Sequence, residues 1–121
     1  MSRHVIVDRP SLQLVLGFDH MLRSFFGQVF NPANKRREGM AVGGWPTRSG
    51  LGTRRPARTI EEAGEDLRLL IAWAKHHQPA GVGEDAWSAH LRSIRTVLMR
   101  EWDDGTDSAT PPIPVALQEG R

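Results

Sequence analysis

The chain is 121 residues long, 39% hydrophobic and 25% charged, with a formal net charge of +2 and no cysteine. That length suits one domain with one core, and the lack of cysteine excludes disulfides, thiolate metal ligands and cysteine nucleophiles while fitting a reducing, cytoplasmic setting. No apolar run approaches the roughly 20 residues that cross a bilayer, and Asp8, Arg9 and Pro10 interrupt the opening segment before a signal-peptide core can form, so a soluble protein without a membrane partner is expected.

From the start of the chain, a short strand is predicted over about 4–8, then a turn around Pro10, then a strand over about 12–18 with Leu12, Leu14, Leu16 and Phe18 on one face. The segment FDHMLRSFFGQVFN is ambiguous. Phe18, Met21, Leu22, Phe25, Phe26, Val29 and Phe30 fit an amphipathic helix, but Gly27 would sit inside it at a cost of about 1 kcal/mol, and Phe25 to Phe30 is rich in strand-favouring residues. The strand reading is preferred, over about 24–30, with Asp19 to Arg23 as the preceding turn. Ala33 to Gly39 reads as an exposed polar turn, and a fourth short strand is expected over about 39–45.

Residues 31–58 hold seven basic side chains, Lys35, Arg36, Arg37, Arg48, Arg54, Arg55 and Arg58, against Glu38 alone. The following stretch, 59–105, holds five basic residues against nine acidic ones. This unevenness is more informative than the net charge. Pro46, Gly50, Gly52 and Pro56 leave residues 46–58 without an apolar period, so a basic loop or connector is predicted at about 31–58.

Thr59 and Glu62 have the spacing of a capping box, and Ile60, Ala63, Leu67, Leu70, Ile71 and Ala74 recur at helical spacing, so a helix is predicted over about 59–77. Gln78-Pro79-Ala80-Gly81 ends it. Trp87, Leu91, Ile94, Leu98 and Trp102 form one stripe of a second helix over about 84–102, with Gly105 as its stop. The short link between them predicts an antiparallel pair, and Leu69 and Trp73 widen the first helix's apolar surface enough to require a second layer. The predicted fold is α+β: a small antiparallel sheet of three or four strands covered on one face by two helices, a single domain over 1–105, followed by an extended proline-containing tail over 106–121.

Most sequence motifs for chemistry fail on inspection. Gly39 to Gly44 has the outer glycines of a P-loop, yet Trp45 and Pro46 stand where Lys and Ser/Thr are required. Asp103-Asp104-Gly105 has its glycine third, where a calcium-binding EF-hand loop places it sixth. His76 and His77 are neighbours and diverge by about 100° on a helix, and no zinc spacing joins them to His4, His20 or His90. The serines lack a nucleophile-elbow context. No cofactor, metal site or catalytic set is expected, although a histidine converging with a carboxylate in space would be invisible in the sequence.

The expected function is therefore non-catalytic binding. Lys35, Arg36, Arg37, Trp45, Arg48, Arg54, Arg55, Arg58 and Trp73 are the candidate contact residues, and the first-choice partner is another protein or a second copy of the chain. Nucleic acid contacted through the same arginines is the alternative.

Overall fold

The computed structural model describes residues 2–31, 36–41, 45–47 and 56–118, with 36–41 and 45–47 described through their backbone pairing. Five strands, β1 (His4–Arg9), β2 (Leu12–Asp19), β3 (Ser24–Asn31), β4 (Arg36–Ala41) and β5 (Trp45–Thr47), form an antiparallel sheet in sequence order. Helices α1 (Ile60–Lys75) and α2 (Glu84–Asp104) follow, and one further turn, α3 (Val115–Gln118), lies near the end. Helix α1 packs on β3, α2 on β2 and α3 against β1, so the helical layer centres on the first three strands. The fold is the predicted α+β arrangement, and residues 18–30 take the strand form of the two readings considered.

The alternation in β2 carries the architecture. Leu14, Leu16 and Phe18 are fully buried toward the helices, and Phe25 and Val29 of β3 join them in the core with Leu67, Leu70, Trp87, Leu91, Ile94 and Leu98 from the helices. Gly27 lets α1 come close. A Cβ there would stand 2.5 Å from Cζ3 of Trp73 and 3.0 Å from Leu16 and Leu70 side-chain carbons, so the glycine that argued against a helix is the seat of the Trp73 ring.

Several expectations need correction. The fourth strand over 39–45 is two strands, and Arg36 to Gly39, expected in an exposed turn, are paired with Asn31, Phe30, Val29 and Gln28. Pairing with a formed neighbour overrides the weak strand preference of charged residues and glycine. Ile60, the first of the apolar positions at helical spacing, is the first residue of α1 and is 60% exposed. The segment after Gly105 has no helix or strand over 107–114, yet it is fastened to the body: Thr110 Oγ1 lies 2.9 Å from His4 Nδ1, Ile113 packs on the core and Leu117 is buried.

Local sequence signals set the start of α1 and the stop of α2. Thr59 Oγ1 accepts the Glu62 amide at 3.1 Å, while the Glu62 carboxylate reaches one residue further back than a standard capping box and accepts the Arg58 amide at 3.0 Å. Gly105 closes α2 with φ of 75°, in the left-handed region that glycine enters without steric cost.

Candidate functional site

The register sorts residues onto the two faces of the sheet, because directly paired positions of an antiparallel sheet share a face. One row runs Val5, Val15, Gln28, Gly39 and Thr47. Beside it lie Gln13, Phe30 and Arg37 on one side, and Gly17, Phe26, Ala41 and Trp45 on the other. These rows belong to the face opposite the helices.

That second face is not bare: Val15, Gly17 and Phe26 are buried on it, and it is recessed toward one end. Near the β2–β3 turn the Phe26 ring lies across Gly17, where a Cβ would stand 2.5 Å from Phe26 Cζ. Ser2 runs alongside, its amide donating to the Phe18 carbonyl at 2.9 Å. Toward the other end, Arg3, Gln13, Val15, Gln28 and Phe30 line a recess of about 190 Å³. Its polar groups are oriented: Arg3 Nη1 donates to Gln28 Oε1 at 3.1 Å, and Gln13 Nε2 donates to Asp8 Oδ1 at 3.2 Å.

Five of the nine sequence-predicted contact residues fall within the described residues. Arg36 and Arg37 are consecutive in β4, and successive strand positions alternate between faces, so Arg37 falls in line with Phe30 while Arg36 falls in the opposite row with Asn31. Trp45 is the Cα partner of Ala41 in β5. Arg58 is exposed immediately before α1. Trp73 is half-buried, packed at Gly27 and edge-on to the His77 ring at 4.8 Å between centroids. Lys35, Arg48, Arg54 and Arg55 lie outside the described residues.

Where the basic segment rejoins the body it is held firmly. Ala57 is buried, its amide donates to the Arg23 carbonyl at 2.8 Å, and its own carbonyl accepts the Trp102 indole N–H at 2.7 Å. Arg23, with φ of 53°, stacks its guanidinium over Trp102 at 5.2 Å and over Phe18 at 5.8 Å. The turn before it is shaped by Asp19, whose Oδ1 accepts the Met21 and Leu22 amides at 3.0 and 3.1 Å. This leaves Met21 92% and Leu22 45% exposed.

Histidines do converge with carboxylates, but the grouping is internal. The Glu101 carboxylate, fully buried in the last turns of α2, receives Ser2 Oγ at 2.9 Å, His4 Nε2 at 3.0 Å and the Ser108 amide at 2.8 Å. With Thr110 on its other nitrogen, the buried His4 ring has both ring nitrogens engaged. His20 bonds Asp107, and that hydrogen bond holds the Asp107 carboxyl below its ordinary range. His90 Nε2 donates to the Ile6 carbonyl at 3.0 Å, at the point where the β1–β2 register slips, and burial pushes its pKa down. Among the described residues no three metal-ligating side chains gather at one point, and no helix is long and apolar enough to cross a membrane.

A larger groove, of about 560 Å³, lies beside the end of α2 and includes Ile60, Arg95, Met99, Arg100 and Asp103. It carries both cations and carboxylates. Compared with known proteins, the chain matches no family model, no curated sequence and no solved structure.

The recess residues Arg3, Gln13, Gln28 and Phe30 were missed in the sequence reading. The alternation that buries Leu14 and Leu16 already implied that Gln13 and Val15 face the other way. The strand register that adds Gln28, Phe30 and Arg3 carries no local signal.

Proposed function

We propose that the protein acts by binding another macromolecule, without chemistry of its own, and that the contact surface is the recess on the sheet face opposite the helices together with the basic segment 31–58. The observation that carries this reading is the solvent-reaching polar recess on the sheet face opposite the helices. Arg3, Gln13, Val15, Gln28 and Phe30 line it, and the register pairs Phe30 with Arg37 of β4. A surface of that kind orients a partner and supplies no nucleophile or proton-transfer pair.

A protein partner at a second place is favoured by one specific observation. The β2–β3 turn is hydrogen-bonded by Asp19 and displays Met21 and Leu22 to solvent, and an exposed apolar tip suits insertion into a partner's pocket. Pairing of copies through sheet edges is the less favoured route: β5 is three residues long and contains Pro46, and β1 has a register slip and the C-terminal segment against it.

Photo-crosslinking separates these readings. A benzoylphenylalanine at Gln13 should give adducts with extract macromolecules in excess of those formed from exposed Glu84 on α2, and one at Met21 should do so only if the tip is also a contact. Equal labelling from Gln13 and Glu84 would remove the recess from consideration.

A further inference from the structure

We propose that the solvent-side seam between α1 and α2 is a second docking surface, shaped for an acidic amphipathic helix of a partner protein; it lies on the helical layer, away from the recess, and does not depend on the recess being a contact. The seam is continuous. Ile71 and Lys75 of α1 line a small cleft with Ser88, Arg92 and Arg95 of α2, and Arg95 is shared with the larger groove that holds Ile60, Met99 and Arg100. Because a helix rises about 1.5 Å per residue, the stretch from Ile60 to Lys75 is about 22 Å long, room for about four turns of a third helix. A groove between two packed helices is the shape that such a helix fills, its side-chain ridges lying in the furrow.

Charge fixes the chemistry of the occupant. Lys75, Arg92, Arg95 and Arg100 are exposed along the seam, and none has a carboxylate partner among the described residues. Arg68, on the outer side of α1, gives the contrast, since Glu65 sits one turn before it and pairs with it. The carboxylates of the groove, Asp103 and Asp104, are confined to its far end. A ligand lying along the seam therefore meets four unpaired cations over most of its length, together with half-buried Ile71 and Met99 and, at the end, exposed Ile60. Carboxylates flanking an apolar stripe match both features. A nucleic-acid strand matches only the cations, and its phosphates would run onto Asp103 and Asp104.

Gly64 is an independent sign of a close neighbour. It lies inside α1, where glycine is the least favoured residue after proline, and helical spacing sets it one turn after Ile60 and two turns before Ile71 on the same stripe. A Cβ there would touch nothing within 4 Å, and the backbone is not left-handed, so neither packing nor conformation within the chain requires glycine. Its bare surface leaves room for the backbone of a helix crossing the seam. At Gly27 the same device is filled from within, by Trp73; at Gly64 the filler comes from the partner.

The test is a fluorescence anisotropy titration of the full chain with a labelled helical peptide of about four turns, leucines on one stripe and glutamates flanking it. It should bind at least about tenfold more tightly than a scrambled peptide of the same composition. Arg95→Glu, at an exposed position, should weaken it at least about fivefold and shift preference to the version with lysines in place of the glutamates. Gly64→Gln should raise the unfolding midpoint, because glutamine is the better helix former, and yet weaken the acidic peptide at least about fivefold, a pairing of signs that a purely structural role does not produce. No binding of the acidic peptide, equal binding of the scrambled one, or parental affinity in Gly64→Gln would overturn the proposal. So would single-stranded RNA that binds as tightly as the peptide and is lost in Arg95→Glu, which gives the seam to nucleic acid, or a dimer abolished by Gly64→Gln, which gives it to a second copy. Glu84 lies one turn before Ser88, beyond the end of the seam, so crosslinking from Gln13 tests the recess separately and either surface can fail alone.

Discussion

Arg23 shows how two opposing residue-level terms can be separated. Its left-handed backbone costs a non-glycine residue about 1–2 kcal/mol, and its guanidinium regains about 0.5–2 kcal/mol by lying over Phe18 and Trp102. Arg23→Ala keeps the strain and loses the stacking, so urea unfolding should find it about 1 kcal/mol less stable. Arg23→Gly loses the stacking but also relieves the strain, and should fall within about 0.5 kcal/mol of the parent. His90 gives a residue-scale pH effect. Its folded pKa is depressed by burial, so the unfolded chain takes up the proton first and stability declines as pH falls from about 6.5 toward the lower folded value. His90→Gln should flatten that part of the stability-versus-pH curve, measured by denaturation at successive pH values.

At the scale of elements, the end of α2 acts as the hub joining the start of β1 to the C-terminal segment. Glu101 is the shared acceptor for Ser2, His4 and Ser108, and removing one partner of a buried charged network typically costs about 3–5 kcal/mol. Glu101→Ala is expected to lose that much in thermal or urea unfolding and to raise hydrogen exchange over 106–118 more than in α1. Asp107 contributes a smaller, exposed anchor. Because its pKa is lowered through the His20 hydrogen bond, its contribution is present above the ordinary carboxylate value of about 3.9 and disappears as pH drops through the lower folded one. Exchange over 106–118 should therefore accelerate on strong acidification, and Asp107→Asn should blunt that response. The cap at Thr59 is a more local matter: Thr59→Ala should cost about 1 kcal/mol.

For the molecule as a whole, what could be read from the sequence followed the range of the interactions involved. Helix bounds were legible because Thr59, Glu62 and Gly105 act within one turn of themselves, and β2 because its alternation is local. The division at β4 and β5 was not, since Arg36 to Ala41 become a strand only by pairing with β3. Nor was the docking of the C-terminal segment, which depends on His4, more than a hundred positions away from Thr110. The recess was half legible for the same reason: Gln13 and Val15 follow from alternation, whereas Arg3, Gln28 and Phe30 come from register. A whole-molecule check is available in the charge asymmetry. Replacing Arg37 by Ala should lower the salt dependence of polyanion binding by about one ion equivalent or less, with little change in unfolding midpoint.

The double fastening of Ala57, between the Arg23 carbonyl and the Trp102 indole, has an engineering consequence. Because β5 paired on β4 fixes the other end, residues added between Thr47 and Ala57 would form a loop closed by two anchors that do not depend on them. Each doubling of such a loop costs only about 0.6 kcal/mol. The stretch is thus a natural insertion point, where an affinity tag or a longer cationic arm could be installed and the protein still fold.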